Sequence, residues 1–318
     1  MKRLFDSGDC GRNSSQSPAI DRNMTKVKSF MTHRKAETPA DCQDSRAIHP
    51  GNRAIAVADG VSQSMFPKIW ADMLTESYVH DRTFSLEDGE KIARLRDGWW
   101  KFFAARLESK RKENSPMLWH FENSFAEEKS AAATFVGIRM TGGGIKYEAL
   151  GDSCLIVVRH GMIEQLISSM PEGAGFDNYP DYIDSHPAAG IRGTLRRGTL
   201  EMSHGDKLFL ATDALSARFD EERSKPDKGK SLVEAIDKIG SEKDFILFVD
   251  KLRDEGMSDD DTTLVCVEWE NSPGFQVLNE TPAAAPRLKR HHGRYEKKGR
   301  KKSMEKNIGK NGRKTGRL

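Results

Sequence analysis

Between Ala54 and Ser62 the chain reads Ala-Ile-Ala-Val-Ala-Asp-Gly-Val-Ser. A short apolar run that contains Val and Ile and stops at a turn signal fits a buried strand. Its last side chain, Asp59, is a carboxylate. At the end of a buried strand such a group is costly to desolvate unless it is paired or binds a metal. The same grammar recurs. Leu208-Phe209-Leu210-Ala211-Thr212 runs into Asp213, and Asp260-Asp261 opens onto Thr262-Thr263-Leu264-Val265-Cys266-Val267. Asp152 stands in Gly-Asp-Ser between two strand-like runs, and Asp44 precedes the Asp59 strand. Singly, each has an ordinary reading. Asp59-Gly60 and Asp152 fit turns, Asp259-Asp260-Asp261 fits a solvated loop, and Asp213 fits a helix cap. As a set they ask for a hard divalent cation, because carboxylate oxygens suit magnesium or manganese and no His-rich ligand set accompanies them.

The rest of the chain reads as alternating strands and helices. Lys26–Thr32 is a first strand, and a polar loop from His33 to Asp41 leads to Cys42-Gln43-Asp44. Ser64 is placed to cap a helix to about Val79, and Ser85-Leu86-Glu87-Asp88 resembles a capping box for a longer helix to about Lys110. In that second helix Ile92, Leu95, Trp99, Phe102, Phe103 and Leu107 keep a helical period, which predicts packing rather than base stacking. A shorter helix or loop follows around Trp119, Phe121 and Phe125. Ala132–Met140 and Ile145–Leu150 form a strand pair, and Cys154–Arg159 and Met162–Leu166 a hairpin. Met170–Thr199 lacks a period and reads as a long loop of the kind that often serves as a lid. Lys207–Thr212 is a buried strand. Ser231-Leu232-Val233-Glu234 opens one helix and Ser241 another, and Thr263–Trp269 is the last strand.

The 318 residues carry a net charge of +3, but the 32 residues from Arg287 hold 14 Lys plus Arg against two Glu, which leaves −9 for everything before them. Residues 1–25 read as disordered and residues 273–318 as a basic disordered tail, with one domain over 26–272. That tail is suited to an acidic partner or to nucleic-acid phosphates, yet Tyr295 is its only aromatic, so stacking on bases is not indicated. No apolar run of membrane length and no secretory leader is apparent, and the four cysteines (Cys10, Cys42, Cys154, Cys266) are scattered without a CxxC pair. A reducing cytoplasm and no membrane contact are expected.

The set Cys42-Gln43-Asp44, Ala56-Val57-Ala58-Asp59-Gly60, Ala132-Ala133-Thr134-Phe135-Val136, Leu150-Gly151-Asp152-Ser153, Leu208–Ala214 and Asp260–Val265 resembles the type-2C metal-dependent protein phosphatases, in their bacterial-type branch. The resemblance implies an α+β fold: a four-layer α-β-β-α sandwich of two mainly antiparallel sheets flanked by helices. It implies a serine/threonine phosphoprotein phosphatase that hydrolyses phosphomonoesters with a water activated between two Mn²⁺ or Mg²⁺ ions, with a place for a third. By the same resemblance Asp59 bridges the two metals, the Gly60 carbonyl joins it, and Asp213 and Asp260 hold the first metal. Asp44 holds the second, directly or through a water, and Asp152 with Asp213 the third. Asp59, Asp44 and Asp213 are thereby the catalytic candidates. The expected partners are a phosphoserine or phosphothreonine protein and a cognate kinase.

Several positions depart from the family pattern. Val61 stands where the family often has a histidine, and Gln43 where it often has glutamate. Pro39 stands where an arginine often binds the substrate phosphate, and Arg34 is the candidate substitute by proximity in sequence. These departures keep two other readings open: a catalytically weak regulatory binding module, and a nucleic-acid-associated protein that works through its tail.

Overall fold

The computed structural model describes residues 24–142, 144–171, 176, 180–271 and 274–279. Of the stretches expected to be disordered, 1–25 and 273–318, residues 1–23 and 280–318 lie outside the described residues, while Thr25 already belongs to the first strand. In chain order the elements are β1 (Thr25–Thr32), β2 (Ser45–His49), β3 (Ala54–Ala58), α1 (Pro67–His80), α2 (Gly89–Lys112), α3 (Leu118–Ala126), β4 (Ala132–Ala133), β5 (Phe135–Thr141), β6 (Gly144–Leu150), β7 (Cys154–Arg159) and β8 (Met162–Ile167). There follow β9 (Tyr182–Asp184), β10 (Ile191–Arg192), β11 (Arg196–Glu201), β12 (Lys207–Ala211), α4 (Asp213–Arg223), α5 (Lys230–Asp237), α6 (Glu242–Asp254), β13 (Thr262–Glu268) and β14 (Phe275–Val277).

Two large sheets face each other. One has the order β14-β1-β13-β12-β7-β8 and the other β11-β6-β5-β3-β2. Every pairing in them is antiparallel except β1 with β14. Strand alternation sends one set of side chains inward from each sheet. Ile55, Val57, Val136 and Ile138 meet Leu155, Val157, Leu208, Leu210, Val265 and Val267 between them. The opposite faces are covered by helices. Trp70, Leu74, Tyr78, Trp99 and Phe103 of α1 and α2 pack on one sheet. Leu215, Phe219, Val233, Phe245 and Val249 of α4, α5 and α6 pack on the other. The result is the four-layer α-β-β-α sandwich. No described helix is long and apolar enough to cross a membrane.

Several local expectations change. Ser64 does not cap α1: its hydroxyl bonds the Val61 carbonyl at 2.7 Å and accepts from Ala132 N at 3.1 Å, and the residue before the helix, Phe66, has φ +53°. The cap of α2 is Asp88, which accepts from Lys91 N, three residues after the Ser85 that sequence favours. Ser231 lies inside α5, bonded to Asp227 at 2.9 Å, and Gly229 with φ +71° precedes the helix. Ser241 does cap α6, accepting from Asp244 N at 3.2 Å. The expected strand 132–140 is two strands, because β4 leaves the large sheet and pairs with β9 instead. The long loop 170–199 contains β9 and β10 of a small third sheet, and its end runs into β11, an edge strand paired with β6. Strand β14 lies past residue 272, where sequence ends the domain.

Candidate metal centre

The acidic residues singled out by sequence lie one or two steps beyond the ends of strand ladders, on one edge of the two sheets. The β2–β3 ladder ends with Ser45 opposite Ala58, so Asp44 and Asp59 leave it side by side. The β12–β13 ladder ends with Ala211 opposite Leu264, and the β12–β7 ladder with Ala211 opposite Cys154. Asp213 and Asp152 follow immediately. The β1–β13 ladder ends at Thr32 and Thr262, just before Asp260 and Asp261. A ladder leaves backbone groups unpaired where it stops, and here they are taken up locally. Thr134 N donates to the Asp59 carbonyl and Val61 N to the Ala132 carbonyl, both at 2.9 Å. Gly60 must be glycine, because a Cβ there would lie 2.8 Å from Pro67 Cβ and 2.9 Å from the Gln43 carbonyl.

The carboxylates are held in one repeating way. Asp44 is fully buried. Its Oδ2 accepts from the hydroxyls of Thr212 at 2.9 Å and Thr263 at 2.7 Å, bonds that cross from one sheet to the other. Its Oδ1 is buried and has no partner. Asp213 begins α4, where a negative charge is favoured by the helix dipole, and its Oδ1 accepts from Ala214 N at 2.6 Å. Asp260 Oδ1 accepts from Arg34 Nε at 2.8 Å, Arg34 Nη2 at 2.5 Å and Asp261 N at 2.8 Å. Among the described residues, nothing donates to the second oxygen of Asp213 or Asp260, nor to the Asp59 carboxylate. In each tethered group one oxygen is fixed by the chain and the other is left over.

Electrostatics show how closely these groups sense each other. Burial, and then the charges of Asp44, Asp213, Asp152 and Asp260, push the Asp59 carboxyl far above the ordinary carboxylate range. Burial and the charge of Asp261 raise Asp44 to about 8 against the two threonine hydrogen bonds. Burial and the charge of Asp260 raise Asp213 to about 6. Five acids gathered in this way are mutually destabilising without a cation. As they stand, no three acidic, histidine or cysteine side chains among the described residues converge tightly enough to ligate one ion. One reason is visible in the hydrogen bonds: Arg34 already neutralises one oxygen of Asp260. The donor set is nonetheless all hard oxygen, and a buried orphaned oxygen on Asp44 is a position a cation would satisfy. The residues therefore fit Mg²⁺ or Mn²⁺.

Arg34, expected to bind phosphate, is at this edge, but its guanidinium is committed to Asp260, to Ser62 Oγ at 2.9 Å and, through Nη1, to Glu37 at 3.6 Å. Sequence reasoning quoted Thr212, Thr263, Ser62 and Asp261 within its motifs but gave none of them a role of its own. Asp261 is buried and ties the loop together, accepting from Gln43 N at 2.7 Å and Arg34 N at 3.3 Å. Cys42, Cys154 and Cys266 are buried free thiols whose ionisation burial pushes upward, so none is a ready thiolate nucleophile.

Comparison with known proteins agrees with this architecture. The family described as Protein phosphatase 2C matches residues 31–249, more than half of the chain. Among solved structures, the photosystem II phosphatase PBCP superposes with a TM-score of 0.52 at 13% identity, covering 78% of this chain and 100% of its own. The S. agalactiae serine/threonine phosphatase gives 0.48 at 14% identity, with 77% and 100% covered. The catalytic domain of PstP, solved with two manganese ions, gives 0.46 at 18% identity, with 77% and 98% covered. None of the curated proteins compared matches the chain by sequence. With the family's span laid over the sandwich and its acidic edge, the chain belongs to the protein phosphatase 2C family.

Proposed function

We propose that this chain is a metal-dependent phosphoserine/phosphothreonine protein phosphatase whose ions sit among Asp44, Asp59, Asp213 and Asp260, with the Gly60 carbonyl as a further ligand and Asp152 beside a third position. The observation that carries the reading is the repeated half-tethering: one oxygen of each of Asp44, Asp213 and Asp260 is fixed by the chain, and the other faces no donor. When bound, Mn²⁺ or Mg²⁺ would neutralise charge on a phosphoryl group and lower the pKa of a water. The chain's own part is to hold the ligands. Thr212 and Thr263 fix the Asp44 carboxylate across the two sheets, and the α4 N-terminus fixes Asp213. Ser62 and Glu37 flank the Arg34 guanidinium, whose charge suits a phosphate monoester once Asp260 is engaged elsewhere. The partners of the proposal are a phosphoprotein and its kinase, with the basic segment from Arg287 available to an acidic surface. Free buried thiols suit a reducing compartment such as the cytoplasm.

The test is hydrolysis of p-nitrophenyl phosphate and of a phosphothreonine peptide by the full chain. Turnover that needs Mn²⁺ or Mg²⁺ and stops with chelator is expected. A folded chain with no turnover in either metal would count against the proposal. A second outcome follows from the tether. Thr263→Val removes one of two hydroxyl donors from Asp44, and loss of such a supporting hydrogen bond weakens metal binding by roughly tenfold. Thr263→Ser restores the hydroxyl and should restore affinity in a calorimetric Mn²⁺ titration. Equal affinities for the valine and serine variants would show that the hydroxyl does not orient Asp44.

A further inference from the structure

The segment that carries Arg34 and Asp260 lies past the end of its ladder. Strands β1 and β13 pair as far as Thr32 and Thr262, and beyond that point no cross-strand backbone bond joins residues 33–37 to residues 258–261. Something else must fix the two pieces of chain against each other. Direct bonds from Arg34 and Lys35 to Asp259, Asp260 and Asp261 do part of this, and a group from outside both pieces reaches them together: Arg253, in the last turn of α6, whose side chain is only 4% exposed. Its Nη2 donates to the His33 carbonyl at 3.0 Å and to the Asp260 carbonyl at 2.7 Å. Its Nε lies 3.2 Å from Asp259 Oδ1, and the same oxygen accepts from Lys35 N at 3.0 Å. Asp250 completes its surroundings at 3.4 Å from Nη1. One planar guanidinium thus clasps the backbone next to Arg34, the backbone of Asp260 itself, and the side chain between them.

We infer that Arg253 is a positioning residue for the metal centre: it touches no candidate ligand oxygen, yet it sets where the Asp260 carboxylate and the Arg34 guanidinium stand. This inference rests on the proposed metal-dependent function. The planar guanidinium matters, because Nη2 must reach two carbonyls on different segments while Nε, which makes no hydrogen bond, stays in ion-pair range of Asp259, and a flexible lysine ammonium offers no such fixed spread. The competing account is a plain strut, with Arg253 satisfying buried carbonyls for stability alone. The molecule supplies the matching control. Arg139 Nη2 donates to the carbonyls of Tyr78, in the last turn of α1, at 2.6 Å and of Asp81 and Phe84, in the turn that follows, at 3.1 Å, with no link to the acidic edge.

The experiment is calorimetric Mn²⁺ titration of the full chain, in about 0.3 M salt to screen lost surface charge, alongside melting in chelator. Arg253→Met should raise the Mn²⁺ dissociation constant by about tenfold or more. Arg253→Lys should recover part of that, and Asp259→Asn, which removes one arm of the clasp, should raise it by roughly threefold. Arg139→Met should lower the melting temperature comparably and leave the constant within twofold of the unmodified chain. An Arg253→Met constant within twofold of the unmodified chain, or an equal loss in Arg139→Met, overturns the inference. If Arg253→Met does not fold, an unchanged constant in Asp259→Asn overturns it instead. An unmodified chain that binds no Mn²⁺ overturns the metal reading itself, and this inference with it.

Discussion

Asp59→Asn is expected to cut manganese-dependent phosphate-ester hydrolysis by about a thousandfold or more and, at the same time, to raise the melting temperature of the metal-free chain. The two effects have one origin. Asp59 leaves β3 beside Asp44, its carboxylate accepts no hydrogen bond among the described residues, and four neighbouring carboxylates oppose its ionisation. A side chain that makes no structural bond and suffers that much repulsion weakens the metal-free fold. Asparagine keeps its shape, removes its charge and leaves every tether on Asp44, Asp213 and Asp260 in place. Functional sites commonly sacrifice stability in this way, and neutralising them commonly raises it. Two measurements on one purified variant check the prediction: turnover of p-nitrophenyl phosphate with Mn²⁺, and melting in chelator. Activity within tenfold of the unmodified chain would remove Asp59 from the centre. A lower melting temperature in chelator would mean that its charge is used structurally.

The parts of this molecule that sequence exposes are those with a strong local signal. Strands β3, β12 and β13 are nearly continuous apolar runs because both faces are covered, one by the opposing sheet and one by helices. Helix α2 keeps its period because Ile92, Trp99, Phe103 and Leu107 all face inward. Legibility fails where long-range partners compete for a local signal. Ser64 has the chemistry of an N-cap but bonds Ala132, 68 residues away. Strand β11 carries Arg196, Arg197 and Thr199 on an exposed edge, so no apolar alternation marks it. At the acidic edge, the residue types are visible in order along the chain, but their tethers are not. Thr212 and Thr263 read as ordinary strand residues until the two sheets bring their hydroxyls to the same oxygen of Asp44. Arg34 shows the converse: sequence proximity identifies a cation near the edge, and only the fold shows that Asp260 holds it.

The metal-free chain should become less stable as pH rises from 5 to 8, and saturating Mn²⁺ should abolish that slope. The sign follows from the direction of the shifts. An unfolded aspartate titrates near 3.9, whereas burial raises Asp213 to about 6 and Asp44 to about 8. A group whose folded value is raised binds more protons when folded. The stability it contributes is complete below about pH 4 and is lost as pH climbs through the folded value. Asp213 therefore sets the first part of the loss and Asp44 the last. Exposed paired acids do not mask it, because Asp81, lowered to about 2 by Lys91 and Thr83, is ionised throughout that window. The combined loss is on the order of 5 kcal/mol, which for a domain of this size moves the melting temperature by roughly 10–20 °C. A divalent ion prefers the ionised carboxylates and so supplies stability where the metal-free chain has lost it, by about 2.7 kcal/mol at a concentration 100 times its dissociation constant. Melting curves at pH 5 and pH 8, each with chelator and with Mn²⁺, decide the matter. A metal-free melting temperature that rises over this interval, or a manganese increment no larger at pH 8 than at pH 5, would show that these carboxylates do not gather charge in the way their burial requires.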